Sequence, residues 1–248
     1  MITNYFRPQT LEETLSLLAQ PATRALGGGT WLNQPHDDQF AVVDLQALGL
    51  NNIRTAGNSL EIEACVTLQQ LLESDNSPMA LKRALRVDAA LNIRNAASVA
   101  GSLVTCDGRS AFATCMLALD ARLKIHQGKI STLVGLAEFL ALRPAGLITS
   151  ISIALNAKTA CEMVARSPMD KPIVCAALTQ WAGGRTRLAL GGFGKNPLLA
   201  MDGTEADGIE AAARNAFHEA GDAWATAEYR ADVAATLARR CLETLTGQ

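Results

Sequence analysis

No Cys-x-x-Cys pair occurs in the chain. Its six cysteines, Cys65, Cys106, Cys115, Cys161, Cys175 and Cys241, are scattered, and the nearest two in sequence are Cys106 and Cys115. Zinc sites and iron–sulfur clusters are built from closely spaced thiolates, so these residues read as structural, reduced cysteine and not as metal ligands. An excess of one charge is also lacking: 22 Lys and Arg stand against 24 Asp and Glu, a net charge of −2, which gives no reason to expect a nucleic acid as partner. No apolar run approaches the roughly twenty residues that span a bilayer. The opening Met1-Ile2-Thr3-Asn4-Tyr5-Phe6-Arg7-Pro8 lacks the charged and apolar parts of a secretory signal, so a cytoplasmic protein without membrane insertion is expected. The three histidines, His36, His126 and His218, have no acid or nucleophile at a telling spacing; loop or surface positions account for them. Neither an internal repeat nor low complexity is present. The chain does have 49% hydrophobic and 19% charged residues over a length of 248. That is enough for a substantial core, at a size where one domain begins to split into two packed units.

Two glycine-bearing segments stand out: Leu26-Gly27-Gly28-Gly29-Thr30-Trp31-Leu32, and Asn92-Ile93-Arg94-Asn95-Ala96-Ala97-Ser98-Val99-Ala100-Gly101-Ser102. Each joins unencumbered backbone to a hydroxyl. Glycine lets the main chain approach a ligand and lets successive N–H groups point the same way, as an anion nest requires. Two such turns suit one diphosphate, hence a large nucleotide cofactor. Taken alone, three glycines in a loop are more often a turn than a ligand site. A Rossmann turn is excluded because Gly-Thr-Trp-Leu follows with no third spaced glycine, and a P-loop because no Gly-Lys-Ser/Thr follows.

Thr10-Leu11-Glu12-Glu13 fits a capping box that opens a helix, with Leu11, Leu15 and Leu18 on one face and Pro21 ending it. A short strand over 23–26 runs into the glycine loop, and 41–45 reads as a buried strand closing a compact β/α unit. Alternation over 59–64 marks another strand. Helices are expected around 68–73 and 79–90, then a turn over 92–102 relaxed by Gly101, a small-residue helix over 110–119, a strand from Arg122 to Ile125 and β structure over 147–155. Runs 173–182 and 186–190 flank Gly183-Gly184 as a hairpin. The C-terminus reads as a helix through Val233, Leu237 and Cys241, with Arg239 and Arg240 exposed late in it.

The order of Phe6-Arg7-Pro8, the helix over 11–18, Gly27-Gly28-Gly29-Thr30, the Asn92–Ser102 segment, Leu117-Ala118-Leu119-Asp120-Ala121, Arg166-Ser167-Pro168-Met169-Asp170-Lys171-Pro172-Ile173-Val174 and Tyr229-Arg230-Ala231-Asp232 resembles the FAD-binding, medium subunit of the molybdenum hydroxylases, the xanthine dehydrogenase and carbon monoxide dehydrogenase group. The resemblance covers nearly the whole chain. It implies an α+β fold: a two-lobed FAD-binding domain of the PCMH or vanillyl-alcohol-oxidase type, with lobes 1–55 and 56–157, followed by a small α/β C-terminal domain, 158–248. It implies FAD held by Ala25, Leu26, Gly27, Gly28, Gly29, Thr30, Trp31 and Leu32, by Ser98, Gly101 and Ser102, and at the flavin end by Leu147 and Ile148, with no catalytic side chain and no metal on this chain. The molybdenum cofactor and [2Fe-2S] clusters are expected on partners, a molybdopterin-binding large subunit and an iron–sulfur small subunit. The flavin would pass their electrons to a terminal acceptor such as NAD+. Two departures bear on this. Ala100-Gly101-Ser102 stands where many relatives have Gly-Gly-Asn, and Asp107-Gly108 followed by Ala111 stands where relatives carry Ser-Pro and then an aspartate that meets the cofactor. Asp107 either substitutes for that aspartate or is a solvated turn residue. Trp31 either stacks near the cofactor or fills the core between lobes. A flavin-free structural subunit of the same kind of complex is the alternative prompted by Ala100 and Ala111; a self-sufficient flavin oxidase would need a substrate cap for which the chain has little room.

Overall fold

The computed structural model describes residues 1–168 and 170–247. Met169 of the Arg166–Val174 segment therefore lies outside the described residues. The first strands and helix are β1 (Ile2–Phe6), α1 (Leu11–Leu18), β2 (Thr23–Leu26) and β3 (Phe40–Asp44). They form a three-stranded parallel sheet ordered β1-β3-β2. Thr10 caps α1 by accepting the Glu13 N–H at 3.2 Å, and Glu13 reaches back one residue further than expected, to the Gln9 N–H. Central β3 is covered on both sides, which is why Phe40, Val42, Val43 and Asp44 are all buried.

The middle of the chain contains β4 (Ile53–Ala56), β5 (Ser59–Glu63), α2 (Leu68–Glu73), α3 (Met79–Asp88), α4 (Leu91–Ala96), α5 (Val99–Thr105), α6 (Ala111–Ala118), β6 (Arg122–Gln127), β7 (Ile130–Gly135), α7 (Leu136–Leu142) and β8 (Leu147–Ala154). Its five strands pair antiparallel in the order β4-β5-β8-β6-β7. Leu60 and Ile62, then Leu123 and Ile125, then Ile151 and Ile153 turn one face into a core shared with α2, α3, α5 and α6. The expected turn over 92–102 is instead two short helices joined at Ala97 and Ser98. Gly101 lies in the second of them, without a left-handed backbone.

The last part holds β9 (Ala157–Val164), β10 (Val174–Trp181), β11 (Thr186–Gly191), β12 (Leu198–Gly203), α8 (Ile209–Ala216) and α9 (Ala227–Thr246). The sheet order is β12-β11-β10-β9, all antiparallel. Strand β10 is apolar without alternation because both its faces are covered: Val174, Ala176 and Leu178 pack with α9, while Cys175 and Ala177 join the core built around α6. All eight residues of α6 are accordingly buried. Gly191 permits the approach, since a Cβ there would lie 2.2 Å from Thr114 Oγ1. Arg187, 6% exposed, pairs with Asp120 of the middle part and Asp202 of β12, and donates to the Leu117 carbonyl at 3.0 Å. Among the described residues no helix is long and apolar enough to cross a membrane.

Candidate functional site

Strand β2 delivers the chain into the Gly27–Leu32 loop, which turns at Gly29 with φ of 71° and is closed by the Asn33 N–H donating to the Gly29 carbonyl at 2.9 Å. The loop rests directly on the Ala96–Ser98 junction. A Cβ on Gly28 would lie 1.7 Å from the Ala96 oxygen, and one on Gly27 would lie 2.7 Å from Ser98 Oγ. The two glycine segments, about seventy residues apart in sequence, are thus in backbone contact, and only glycine permits it.

Their hydrogen bonding differs sharply. None of the six N–H groups from Gly27 to Leu32 finds an acceptor among the described residues. In the second segment the Val99 N–H donates to the Val66 carbonyl at 2.8 Å, Ala100 to Ala64, Gly101 to Ser98 Oγ at 3.2 Å and Ser102 to the Ser98 carbonyl. Ser98 is therefore the cap of α5; its oxygen accepts, leaving its hydroxyl hydrogen to donate elsewhere. The first loop offers amides to a ligand, while the second offers small size and one hydroxyl.

A cleft of about 520 Å³ opens at this junction, within the usual range of ligand pockets. Eleven of the thirteen expected residues line it: Ala25, Gly27, Gly28, Gly29, Thr30, Trp31, Leu32, Ser98, Gly101, Leu147 and Ile148. Leu26 does not; it lies beneath the loop, packed with Leu32, Phe40 and Val42. Nor does Ser102, whose N–H closes the first turn of α5. Arg24 and the Arg143–Gly146 loop also line the cleft, and sequence reasoning missed both. The only sequence signal for the loop was Arg-Pro-Ala-Gly punctuation before the expected strand. Its geometry is demanding: Arg143 has φ of 44°, and at Gly146, φ of 135°, a Cβ would lie 2.7 Å from Ile125 Cγ2. Arg143 donates to the Leu103 and Val104 carbonyls and to Asn196 Oδ1, tying the cleft wall to α5 and to the loop before β12.

Among the described residues Arg24 and Arg143 are the only charged side chains on the lining, so the cleft favours an anion. Trp31 does not fill a core between lobes: it is 42% exposed at the cleft, its ring 4.5 Å from that of His36. Asp107 does not reach the cleft. It accepts the Arg109 N–H at 2.9 Å and pairs with Lys171, as a turn residue does. The cysteines are all free, with Cys115, Cys161, Cys175 and Cys241 buried in the cores. Burial pushes the Cys65 thiol up to about 11, and no group of three or more His, Cys, Asp or Glu among the described residues is arranged to hold a metal.

Residues 1–155 match the family described as the FAD binding domain in molybdopterin dehydrogenase. The chain belongs to the FAD-binding subunits of the molybdenum hydroxylases. In sequence, this FAD-binding subunit is 28% identical over 239 residues to the uncharacterized protein YgfM of Escherichia coli, covering 93% of the chain and 91% of that protein. In structure, it is similar to a chain of the CO dehydrogenase of Oligotropha carboxidovorans, with a TM-score of 0.83, 23% identity and coverage of 100% and 99%. It is similar also to a chain of the quinoline 2-oxidoreductase of Pseudomonas putida 86, with a TM-score of 0.81, 20% identity and coverage of 100% and 98%. At these identities the structural likeness speaks for the fold, which is the α+β, two-lobed FAD-binding arrangement with a further C-terminal sheet and helices.

Proposed function

We propose that this subunit holds FAD in the cleft between the two glycine segments and passes electrons from the [2Fe-2S] clusters of a partner subunit to a terminal acceptor such as NAD+. The observation that carries this reading is the run of unpaired amides from Gly27 to Leu32 in a cleft whose only charged groups among the described residues are arginines. A diphosphate is an acceptor-only dianion, and a concave row of N–H groups is its natural complement. The residues present therefore fit the family's cofactor.

When bound, FAD supplies two-electron storage between one-electron donors and a two-electron acceptor. The chain's own residues bind and orient it. The amides of Gly27–Leu32 and the Thr30 hydroxyl would take the diphosphate, Ser98 would add its hydroxyl hydrogen, and Gly101 would keep the facing wall low. Leu147 and Ile148, both buried, would exclude water at the flavin end, and exposed Trp31 would stack near the cofactor. Leu26 and Ser102 would act from behind the wall, fixing the loop and α5. No side-chain acid, base or nucleophile is needed for this task. Substrate oxidation would belong to a molybdopterin-binding large subunit, and the lobes 1–55 and 56–157 and the unit 158–248 would together form the flavin-carrying member of the complex.

The test is anaerobic. The full chain, loaded with FAD and mixed with its chemically reduced iron–sulfur partner, should lose its flavin absorption and recover it on addition of the acceptor. A loaded chain whose flavin stays oxidised in the assembled complex would leave the electron-transfer role without support. NAD+ is one acceptor arm of that experiment, with oxygen and a quinone as the others.

A further inference from the structure

We propose that Arg24 is a cofactor-binding residue, its Nη1 donating to a phosphate oxygen of the bound dinucleotide; this rests on the reading of the cleft as an FAD site. Arg24 lies on β2, immediately before the loop, and lines the cleft. Its Nη2 is paired with Asp38, and its Cζ sits 4.1 Å from the Phe40 ring centroid and 5.6 Å from that of Trp31. These contacts fix the guanidinium in one plane. Nη1 is nevertheless without a partner, the one buried side-chain nitrogen or oxygen among the described residues in that condition. Burying an unpaired charged donor is costly, and folded proteins rarely do so without a reason.

The neighbourhood tells which ligand group would satisfy it. Beside Arg24 the loop carries a run of unpaired donors, the N–H groups of Gly27 to Leu32. A patch of donors complements a group that only accepts. The adenine amino group, the ribose hydroxyls and the flavin ring N–H all carry hydrogens to donate, whereas the phosphates carry none. The planar guanidinium also suits phosphate oxygens geometrically. Asp38, more than half exposed, takes Nη2 and leaves Nη1 without a partner.

The test measures FAD binding to the full chain by quenching of flavin fluorescence, with ADP and adenosine as competitors. R24Q should weaken both FAD and ADP roughly tenfold to a hundredfold, the worth of one hydrogen bond to a charged group, and leave competition by adenosine unchanged. R24K should recover part of the loss. D38N, which removes the ion pair but keeps the guanidinium, should bind FAD within about threefold of wild type. Unchanged ADP competition in R24Q would overturn the proposal. So would an equal loss for adenosine, which would move the contact to the nucleoside, or a loss in D38N matching that in R24Q, which would make the role structural. A wild-type chain that binds neither FAD nor ADP would instead fail the FAD reading itself, and the Arg24 assignment with it.

Discussion

Gly28 and Gly49 are both loop glycines, yet the structure assigns them opposite sensitivities. A methyl group at Gly28 would collide with the Ala96 carbonyl, a backbone atom that cannot rotate aside. Gly28→Ala should therefore cost about 2 kcal/mol or more and abolish FAD retention. At Gly49 the φ of 68° is left-handed, but no atom lies within 4 Å of the added Cβ. Gly49→Ala should cost only about 1 kcal/mol and bind FAD normally, as chemical denaturation and flavin quenching on the two variants would show. The glycine triplet was legible in the sequence because glycine at a strand end is unusual in itself. The unequal use of amides in the two segments was not legible: the acceptors for Val99 and Ala100 are Val66 and Ala64, more than thirty residues away. Arg230 shows a similar limit. It belongs to a segment that helped to identify the family, but its side chain is fully buried and not on the cleft lining, donating to the Ile173, Ala220 and Ala225 carbonyls and paired with Asp222. Arg230→Met should destabilise by about 3 kcal/mol through the orphaned carbonyls and carboxylate, as a urea titration would measure.

At the level of elements, sequence periodicity was most informative where one face is buried, as in β5 and the long α9. It failed where exposure removes the pattern. Strands β4 and β7 lie at the two edges of the five-stranded sheet with mostly exposed side chains, and neither was expected; α4 has no buried residue. Helix α6 was readable as small and apolar, but what starts it was not. Ser110 caps it by accepting the Ala113 N–H, and Asp88 at the end of α3 accepts both the Ser110 hydroxyl and the Phe112 N–H, at 2.8 and 3.0 Å. Burial raises the Asp88 carboxyl above its ordinary range, against the pull of those two donors. Asp88→Ala should cost about 1–3 kcal/mol by leaving the donors unsatisfied, whereas Asp88→Asn, which keeps an acceptor, should cost less. Thermal unfolding of the two variants side by side distinguishes the lost acceptor from the lost charge.

Across the whole molecule, the C-terminal sheet is fastened to the middle part by packing and by ion pairs. Gly108 and Gly192 interlock there: the Gly108 N–H donates to the Gly194 carbonyl and the Gly192 N–H to the Gly108 carbonyl. Arg185 and Arg187 bridge Asp120 to Asp202. The Arg185 hydrogen bond holds the Asp202 carboxyl below the usual range despite partial burial. At Asp222 burial acts upward, but the Trp224 and Ala225 N–H groups and Arg230 outweigh it and leave the carboxyl lowered. Depressed carboxylates contribute stability that is present above their unfolded pKa, about 4, and is lost as the pH falls through the lower folded value. The Tm should therefore fall as the pH drops below about 4, and the gap between wild type and Asp202→Asn, clear at pH 7, should narrow over that range. A gap independent of pH would contradict the assignment of the network.

Everything proposed for this chain turns on the two glycine segments together holding FAD. The most direct measurement is the visible spectrum of the purified full chain after incubation with FAD and removal of the free cofactor, for wild type, Gly28→Val and Gly49→Ala, with circular dichroism to verify folding. Flavin bands in wild type and Gly49→Ala, absent from a folded Gly28→Val, are the predicted result. A folded wild-type chain that stays colourless with excess FAD, alone and with its partner subunits, would contradict the claim and leave a flavin-free structural subunit in its place.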